Sequence, residues 1–151
     1  MILLGSDHGG LELKEEIKNL LQEKGIACQD LGPCNGDSVD YPDFGKLVAQ
    51  RVSTGSAEKG ILVCGTGIGM SIVANKFPGV RAALATDVFM ATMAKEHNNA
   101  NILVLGGRVL QAGTAREMVT AWLETAFAGG RHQARLDKIT ALENELKQQG
   151  A

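Results

Sequence analysis

The stretch Gly60-Ile61-Leu62-Val63-Cys64-Gly65-Thr66-Gly67-Ile68-Gly69-Met70-Ser71 decides the fold, because a strand pattern passes directly into a helix pattern. The apolar run at residues 60–63 is typical of a buried strand. Glycines follow Cys64, where they allow a sharp turn and a close approach to a ligand. The N–H groups that open the next helix attract anions and favour a thiolate. We therefore expect a nucleophile or base beside an oxyanion-binding loop.

The same alternation of strand and helix patterns runs along the whole chain. Strands are predicted at residues 2–5, 26–31, 61–63, 81–85 and 102–105. Each is followed by apolar residues at helical spacing, with Gly129-Gly130 breaking the fifth helix before a last helix at about 131–148. Such alternation implies a parallel sheet with helices on both faces, in one domain over residues 1–151. The narrow apolar stripe of the last helix is compatible with packing on its own domain or on a partner subunit.

Composition and charge exclude several classes of protein. The formal charge is −2, which gives no global attraction to nucleic acid or membrane. The three cysteines form no C-x-x-C motif, and the first residues lack the basic segment of a signal peptide. No apolar run reaches membrane-spanning length. A reducing cytoplasm is the expected setting.

Several reactive side chains follow the carboxyl ends of the predicted strands, where open parallel sheets bind ligands. A carboxylate, an imidazole, a thiol and a guanidinium converge there. Each has a purely structural alternative: Asp7 as a helix cap, His8 as an exposed turn residue, and Arg108 as a surface ion pair. A free cysteine is often a small buried hydrophobe, but the adjacent helix start favours chemistry at Cys64. The segments that follow the strands are Asp7-His8, Cys64-Gly65, Thr86-Asp87 and Gly106-Gly107-Arg108.

The glycine loop does not match the two common phosphate-binding motifs. Counted from Gly65, a dinucleotide fingerprint requires a third glycine where the chain has Met70. Asp87 stands at a suitable distance for a ribose contact, but the loop follows the third strand and not the first. A P-loop is excluded because no Gly-Lys-Ser/Thr follows. A nicotinamide site is therefore disfavoured.

Two further groups are candidates outside that edge. His97 lies four residues after Met93 and shares its helix face, so a core histidine is the structural alternative. Arg131 and Arg135 are four residues apart on one helix face and are suited to clamp a phosphate. A basic pair at a helix start opposes the helix dipole, which favours a functional reason over a solvated helix end.

Taken together, the motifs resemble those of the ribose-5-phosphate isomerase type B family, in matching order and spacing over nearly the whole chain. This family also contains galactose-6-phosphate isomerase subunits, allose-6-phosphate isomerases and enzymes for shorter sugar phosphates. The resemblance implies a Rossmann-like three-layer α/β/α sandwich with a five-stranded parallel sheet. It also implies a homodimer or dimer of dimers without cofactor or metal. The motifs are Asp7-His8, Asp40-Tyr41-Pro42, Cys64-Gly65-Thr66-Gly67-Ile68-Gly69, Ala74-Asn75-Lys76, His97-Asn98 and Gly129-Gly130-Arg131-His132-Gln133-Ala134-Arg135.

The resemblance also implies roles for individual residues. Cys64 corresponds to the catalytic base and His97 to the group that opens the sugar ring. As a mechanistic hypothesis beside the resemblance, Asp7 relays protons between the sugar oxygens, with Thr66 assisting. Some relatives lack this cysteine and carry a carboxylate at the position of Ser71, so this chain resembles the cysteine-using branch. The residues implied in substrate binding are Asp7, His8, Gly65, Thr66, Gly67, Ile68, Gly69, Asn98, Arg108, Arg131 and Arg135. Tyr41 and Ser71 are predicted to bind substrate as well.

The expected function is aldose–ketose isomerisation of ribose 5-phosphate through an enediolate, which needs a base and fixed oxyanion donors. Allose 6-phosphate, galactose 6-phosphate or a tetrose phosphate remain alternative substrates. A non-catalytic sugar-phosphate sensor is an alternative of another class. A receiver-type signalling domain would need an aspartate after the third strand, where this chain has Cys64.

Topology predicts that the active site is shared between subunits. The fourth helix begins at the carboxyl edge of the sheet, and a helix of about ten residues spans roughly 15 Å. His97, at its end, should therefore lie far from Cys64 of its own chain. We expect an obligate dimer in which His97 and Asn98 act in the site of the neighbouring subunit. The same argument leaves open which subunit supplies Arg131 and Arg135.

Overall fold

Five parallel strands build the single sheet of this computed structural model, which describes residues 1–150. The strands are β1 (Ile2–Ser6), β2 (Cys28–Asp30), β3 (Lys59–Cys64), β4 (Ala82–Leu84) and β5 (Ile102–Gly106). The helices are α1 (Leu11–Glu23), α2 (Tyr41–Ser53), α3 (Ile68–Ala74), α4 (Val88–Glu96), α5 (Ala112–Glu124) and α6 (Arg131–Gln149). A short 3-10 turn, His8–Gly10, precedes α1. The predicted α/β/α sandwich with a five-stranded parallel sheet is confirmed.

The core consists of two apolar layers, one on each face of the sheet. On one face, Leu4 and Leu103 of the sheet pack with Ile17 of α1 and Trp122 of α5. The other face is covered by α2 and α3 and includes Leu62. Because successive strand residues point to opposite faces, the uninterrupted apolar runs of β1, β3 and β5 fill both layers. The central strands β1, β3 and β5 are therefore buried along their length, except for the half-buried Lys59 at the start of β3.

The order of the strands, β2-β1-β3-β5-β4, creates a crevice at the carboxyl edge. The chain moves outward from β1 to β2 and then returns to place β3 on the other side of β1. Helices that follow β1 and β3 therefore cover opposite faces and separate at this point. Such a switch in strand order is where open α/β sheets bind ligands.

Several predicted boundaries were wrong by a few residues. The second and fourth strands are shorter than expected, at 28–30 and 82–84. At the start of the edge strand β4, the Asn75 side chain hydrogen bonds to both the N–H and the carbonyl of Ala82 (2.9 Å each). α5 ends at Glu124, since Thr125 is extended, and not at the glycine pair. Gly129, at φ 65°, turns the chain into α6.

Two helices leave apolar side chains in solvent. α4 buries Ala91 and Ala94, whereas Phe89 is 70% exposed. In α6, His132 and Leu136 are buried against their own chain, which answers part of the question about this helix. Its later apolar residues, Ile139, Leu142 and Leu146, are exposed. Their packing on a partner subunit stays a prediction.

Candidate active site

Backbone hydrogen bonds join three strand ends at the carboxyl edge into one surface. Gly107 N–H donates to the carbonyl of Cys64 (2.8 Å), and Arg108 N–H donates to the carbonyl of Gly65 (2.9 Å). Asp7 N–H donates to the carbonyl of Val63 (3.2 Å). The loops after β1, β3 and β5 are therefore held against one another without help from side chains.

Glycine is required where these loops touch. A Cβ on Gly10 would stand 2.5 Å from the carbonyl oxygen of Val63, and one on Gly107 would stand 2.6 Å from the carbonyl oxygen of Gly9. Real Cβ atoms do not approach backbone oxygen so closely, so a larger residue would force the loops apart. The close approach explains Gly10 and Gly107, and Gly106 is equally confined, since its Cβ would stand 2.8 Å from the carbonyl oxygen of Thr66.

The glycine loop after Cys64 opens α3 without a side-chain cap. Gly67, at φ 83°, stands at the helix N-cap, and Thr66 Oγ accepts a hydrogen bond from the N–H of Ile68 (3.3 Å). The ring of Tyr41 covers Gly69, since a Cβ there would stand 2.5 Å from the ring carbon Cζ. The predicted substrate-binding residues Tyr41, Thr66 and Gly69 therefore border one loop. Ser71, one turn further along α3, is half-buried.

The reactive side chains of the carboxyl edge lie around this loop. The Cys64 side chain is buried, with 5% exposed. Asp7 caps the 3-10 turn, which is the structural alternative predicted for this residue. Its Oδ1 accepts a hydrogen bond from Gly10 N–H at 2.9 Å. Arg108 Nη2 and Asp7 Oδ1 each lie 3.4 Å from the point where a Cβ on Gly9 would stand. Within residues 1–150, no carboxylate oxygen lies within 4.0 Å of the Arg108 guanidinium, so its surface-pair alternative does not hold.

Two other predicted candidates have structural partners. Asp87 caps α4, with Oδ1 accepting from Met90 N–H at 2.7 Å, so its position does not mark a ribose site. The imidazole of His8 is half-buried, and its Nδ1 accepts a hydrogen bond from Val39 N–H at 3.1 Å. His8 is therefore not a free turn residue. The sequence carried no sign of this contact, because the donor is a backbone group.

A second cluster of predicted residues lies at the amino edge of the sheet. His97 ends α4 just before β5, whose neighbour β3 is tied there by the bond from Gly60 N–H to the carbonyl of Asn101 (2.9 Å). The ring of His97 stacks on that of His132, with centroids 4.1 Å apart and planes 12° from parallel. His97 is thus half-buried against another imidazole and is not a core residue. Asn98, beside it, is exposed.

Arg131 and Arg135 belong to the same cluster, because both flank His132 on α6. Burial lowers the pKa of His132, and the positive charges of His97, Arg131 and Arg135 lower it further. Both arginines are exposed, so their guanidinium groups are accessible to an anion. Sequence reasoning gave His132 no role, although it stands inside the glycine-arginine motif. The sheet therefore separates the Cys64 set from the His97 set within one chain.

The described residues offer neither a metal site nor a membrane span. Among residues 1–150, no three His, Cys, Asp or Glu side chains approach closely enough to share a metal ion. None of the helices in that part of the chain combines the length and the apolar character needed to cross a membrane.

Solved structures similar to this chain define its class. Ribose-5-phosphate isomerase B of Clostridium thermocellum is 50% identical with a TM-score of 0.93, over 96% of this chain and 98% of that one. The Mycoplasma genitalium enzyme, solved with bound ribulose-5-phosphate, is 44% identical with a TM-score of 0.92, over 95% and 96% of the two chains. The fold and these likenesses define a sugar-phosphate isomerase of the aldose–ketose class.

Family membership follows from the sequence match. Residues 2–139 match the family model described as Ribose/Galactose Isomerase, and the chain belongs to that family. Members with other substrates are also similar. D-erythrulose-4-phosphate isomerase of Pectobacterium atrosepticum is 40% identical over 149 residues, 98% of each chain.

Proposed function

We propose that this enzyme interconverts ribose 5-phosphate and ribulose 5-phosphate, with Cys64 as the base and His97 as the group that opens the ring. The observation that carries the choice of substrate is ribulose-5-phosphate bound in the Mycoplasma genitalium relative. The buried thiol beside a glycine loop supports the choice of base. The reaction passes through an enediolate, which needs both a base and fixed oxyanion donors.

Proton transfer is assigned to the carboxyl edge. The Cys64 thiolate takes the proton from C2 of the aldose and returns it to C1. Backbone N–H groups of residues 65–69 hold the enediolate oxygens, at the helix start that lacks a side-chain cap. Asp7 relays protons between O1 and O2, assisted by Thr66. The hydrogen bond from Gly10 fixes the Asp7 carboxylate for this task.

Phosphate binding is assigned to four basic groups. Arg108 borders the glycine loop, His8 lies on the 3-10 turn that follows β1, and Arg131 and Arg135 flank His132. Arginines without carboxylate partners are suited to bidentate contacts with phosphate oxygens. Phosphate held at the far end of the sugar would orient C1 and C2 toward Cys64.

A complete site then requires two subunits. His97 and Cys64 must both contact one small sugar, yet they stand at opposite edges of one sheet. We therefore assign His97, Asn98, Arg131 and Arg135 to the partner's side of each composite site. The stacking of His97 on His132 supports one subunit supplying both the ring-opening group and the arginines. Exposed apolar side chains of α3 and α4, Ile68, Ile72, Phe89 and Met90, would be covered in such a dimer.

The substrate is tested by measuring turnover with several sugar phosphates. We expect the highest kcat/KM with ribose 5-phosphate, and much less with allose 6-phosphate or galactose 6-phosphate. D-erythrulose 4-phosphate is the second candidate, because a relative is named for it. A higher kcat/KM with the tetrose phosphate would overturn the proposed substrate. Binding of ribose 5-phosphate without turnover would favour the sensor alternative.

Sharing of the site is tested by mixing two inactive chains. Cys64→Ala and His97→Ala subunits, each with a different tag, are co-refolded and the heterodimer is purified through both tags. One intact composite site should remain per heterodimer, so activity should return. Heterodimers that stay as inactive as both parents would contradict the action of His97 across the interface.

A further inference from the structure

The loop formed by residues 31–40, between β2 and α2, borders the candidate active site. Its tip is exposed, but Gly32 and Pro33 at its base are buried. The carbonyl of Gly32 accepts from Ser6 N–H (3.2 Å), and its N–H donates to Asp30 Oδ1 (2.9 Å). The first residues of the loop are thus bound to β1, the strand that leads to Asp7 and His8.

A buried ammonium group reinforces this attachment. Only 1% of the Lys14 side chain is exposed, and its Nζ lies 2.8 Å from Asp30 Oδ1 and 2.7 Å from the carbonyl oxygen of Pro33. A buried charge is tolerated only when it is paired and hydrogen bonded, and here one partner, Asp30, ends β2 while the other, Pro33, lies at the base of the loop. Lys18 approaches the same carboxylate from the surface, at 3.7 Å from Oδ2, with 35% of its side chain exposed.

The other end of the loop touches His8. Val39 N–H donates to His8 Nδ1 at 3.1 Å. A ring nitrogen that accepts a hydrogen bond carries no proton, so the neutral imidazole holds its proton on Nε2. Nε2–H is then a donor, as an oxygen of a phosphate requires. His8 and Lys14 stand at either end of the same short stretch, on the 3-10 turn and in α1.

We propose that the 31–40 loop sets the tautomer of His8, with Val39 N–H holding Nδ1 as the acceptor and Lys14 anchoring the loop that carries this donor. Lys14 is then a positioning residue, because it acts on the substrate only through Pro33, Val39 and His8. This inference rests on the proposed function, in which His8 binds the substrate phosphate. It adds to that function that the 31–40 loop holds His8 in one tautomer before substrate binds.

The tautomer is measured without substrate, by long-range ¹H–¹⁵N spectra of protein labelled at its three histidines. His8→Gln identifies the His8 signals. We expect the wild-type ring to carry its proton on Nε2. Val39→Pro removes the donor, since proline has no N–H, and should mix the tautomers. Val39→Ala keeps the N–H and should retain the wild-type spectrum.

Lys14→Met tests the anchor, with Lys18→Met as its matched control on the same carboxylate. Lys14→Met should mix the tautomers of His8 in the folded protein and raise KM for ribose 5-phosphate about tenfold, the scale of one lost hydrogen bond, with little change in kcat. Lys18→Met should change neither. A merely structural role of Lys14 would lower Tm but leave the tautomer of the folded protein intact. Lys14→Met keeps the test decisive if Val39→Pro does not fold.

The outcomes separate this inference from the proposed function. An Nδ1-protonated His8 in the wild type, or an unchanged tautomer in both variants, overturns the positioning and leaves the proposed isomerase untouched. A changed tautomer with an unchanged KM overturns the role of His8 in phosphate binding instead. A changed tautomer together with a raised KM supports both.

Discussion

The two edges of the sheet carry chemically different halves of the candidate site. At the carboxyl edge, backbone hydrogen bonds and glycine contacts hold Cys64 and its neighbours in place. At the amino edge, the side chains of His97 and His132 stack between α4 and α6, with exposed arginines beside them. One half is built from backbone and the other from side chains. Crowding should therefore disturb the structure of the first half, whereas the geometry of the second depends on its individual side chains.

Under the proposed function, neither edge would be an isomerase alone. The carboxyl edge would supply the base and the oxyanion donors, with Arg108 and the half-buried His8 as its groups for a phosphate. The amino edge carries two imidazoles and two arginines but not the proposed base. A two-fold axis that brings one edge against the other would complete both sites at once.

The largest effect is expected from Cys64→Ser, which tests whether the carboxyl edge supplies the base. Turnover should fall about a hundredfold or more while KM changes little, as for a lost acid–base group. Steady-state kinetics with ribose 5-phosphate measures both values. Turnover near the wild-type value would remove Cys64 from the mechanism.

Alkylation gives an independent check of the same residue. Cys34 is exposed and would react first, so the experiment uses Cys34→Ser protein. Ribose 5-phosphate should slow iodoacetamide labelling of Cys64, followed by peptide mass spectrometry. Equal labelling rates with and without substrate would argue against a thiol in the site.

The next largest effect is expected from Arg135→Ala at the amino edge. Loss of a charge-assisted contact worth about 1.5–3 kcal/mol should raise KM roughly tenfold to a hundredfold. Lys138→Ala, on the same exposed helix, controls for general loss of positive charge. If free ribose is turned over as well as ribose 5-phosphate, the arginine clamp is wrong.

Gly10→Ala tests the backbone construction of the carboxyl edge. The alanine Cβ would stand 2.5 Å from the carbonyl oxygen of Val63. This oxygen belongs to the central strand β3, so it cannot easily move away. Overpacking of this kind should lower the free energy of unfolding by about 1–3 kcal/mol.

Gly113→Ala is the matched control in α5, where a Cβ meets nothing within 4 Å. There alanine should stabilise the helix by about 0.5–1 kcal/mol. Chemical denaturation of both variants decides the outcome, and a Gly10→Ala protein as stable as wild type would contradict the crowding argument.

The smallest effect concerns His132 and the charge of the amino edge. Its native pKa is lowered from the ordinary value of 6.5 by burial and then by His97, Arg131 and Arg135. As the pH falls through 6.5, the unfolded chain takes up this proton before the native protein does. The free energy of unfolding should therefore decrease as the pH is lowered through that range. Above that range, the stabilising contribution of His132 should be fully present. His132→Phe keeps a planar ring and should flatten this part of the stability profile. An unchanged slope would mean that His132 titrates alike in both states.

Local patterns were enough to predict the sheet, the order of helices and the loop after Cys64. Apolar runs and helical spacing are properties of neighbouring residues, and a strand end followed by glycines has a local meaning. Errors occurred at element ends: β2 and β4 are shorter than predicted, and α5 stops at Glu124, before the glycine pair. Topology also predicted that His97 lies far from Cys64, because a helix of about ten residues that starts at the carboxyl edge of a parallel sheet ends near the opposite edge.

Three contacts of the candidate site depend on tertiary structure alone. They are the stack of His97 on His132, the bond from Val39 to His8 across 31 residues of sequence, and the burial of Lys14 under Pro33. Each joins groups from separate elements, and one donor is a backbone N–H that every residue but proline carries. Sequence by itself determined which chemical groups this protein has and at which strand ends they stand. Only the tertiary structure decided which of these groups contact one another, because such contacts depend on how the helices and loops pack against the sheet.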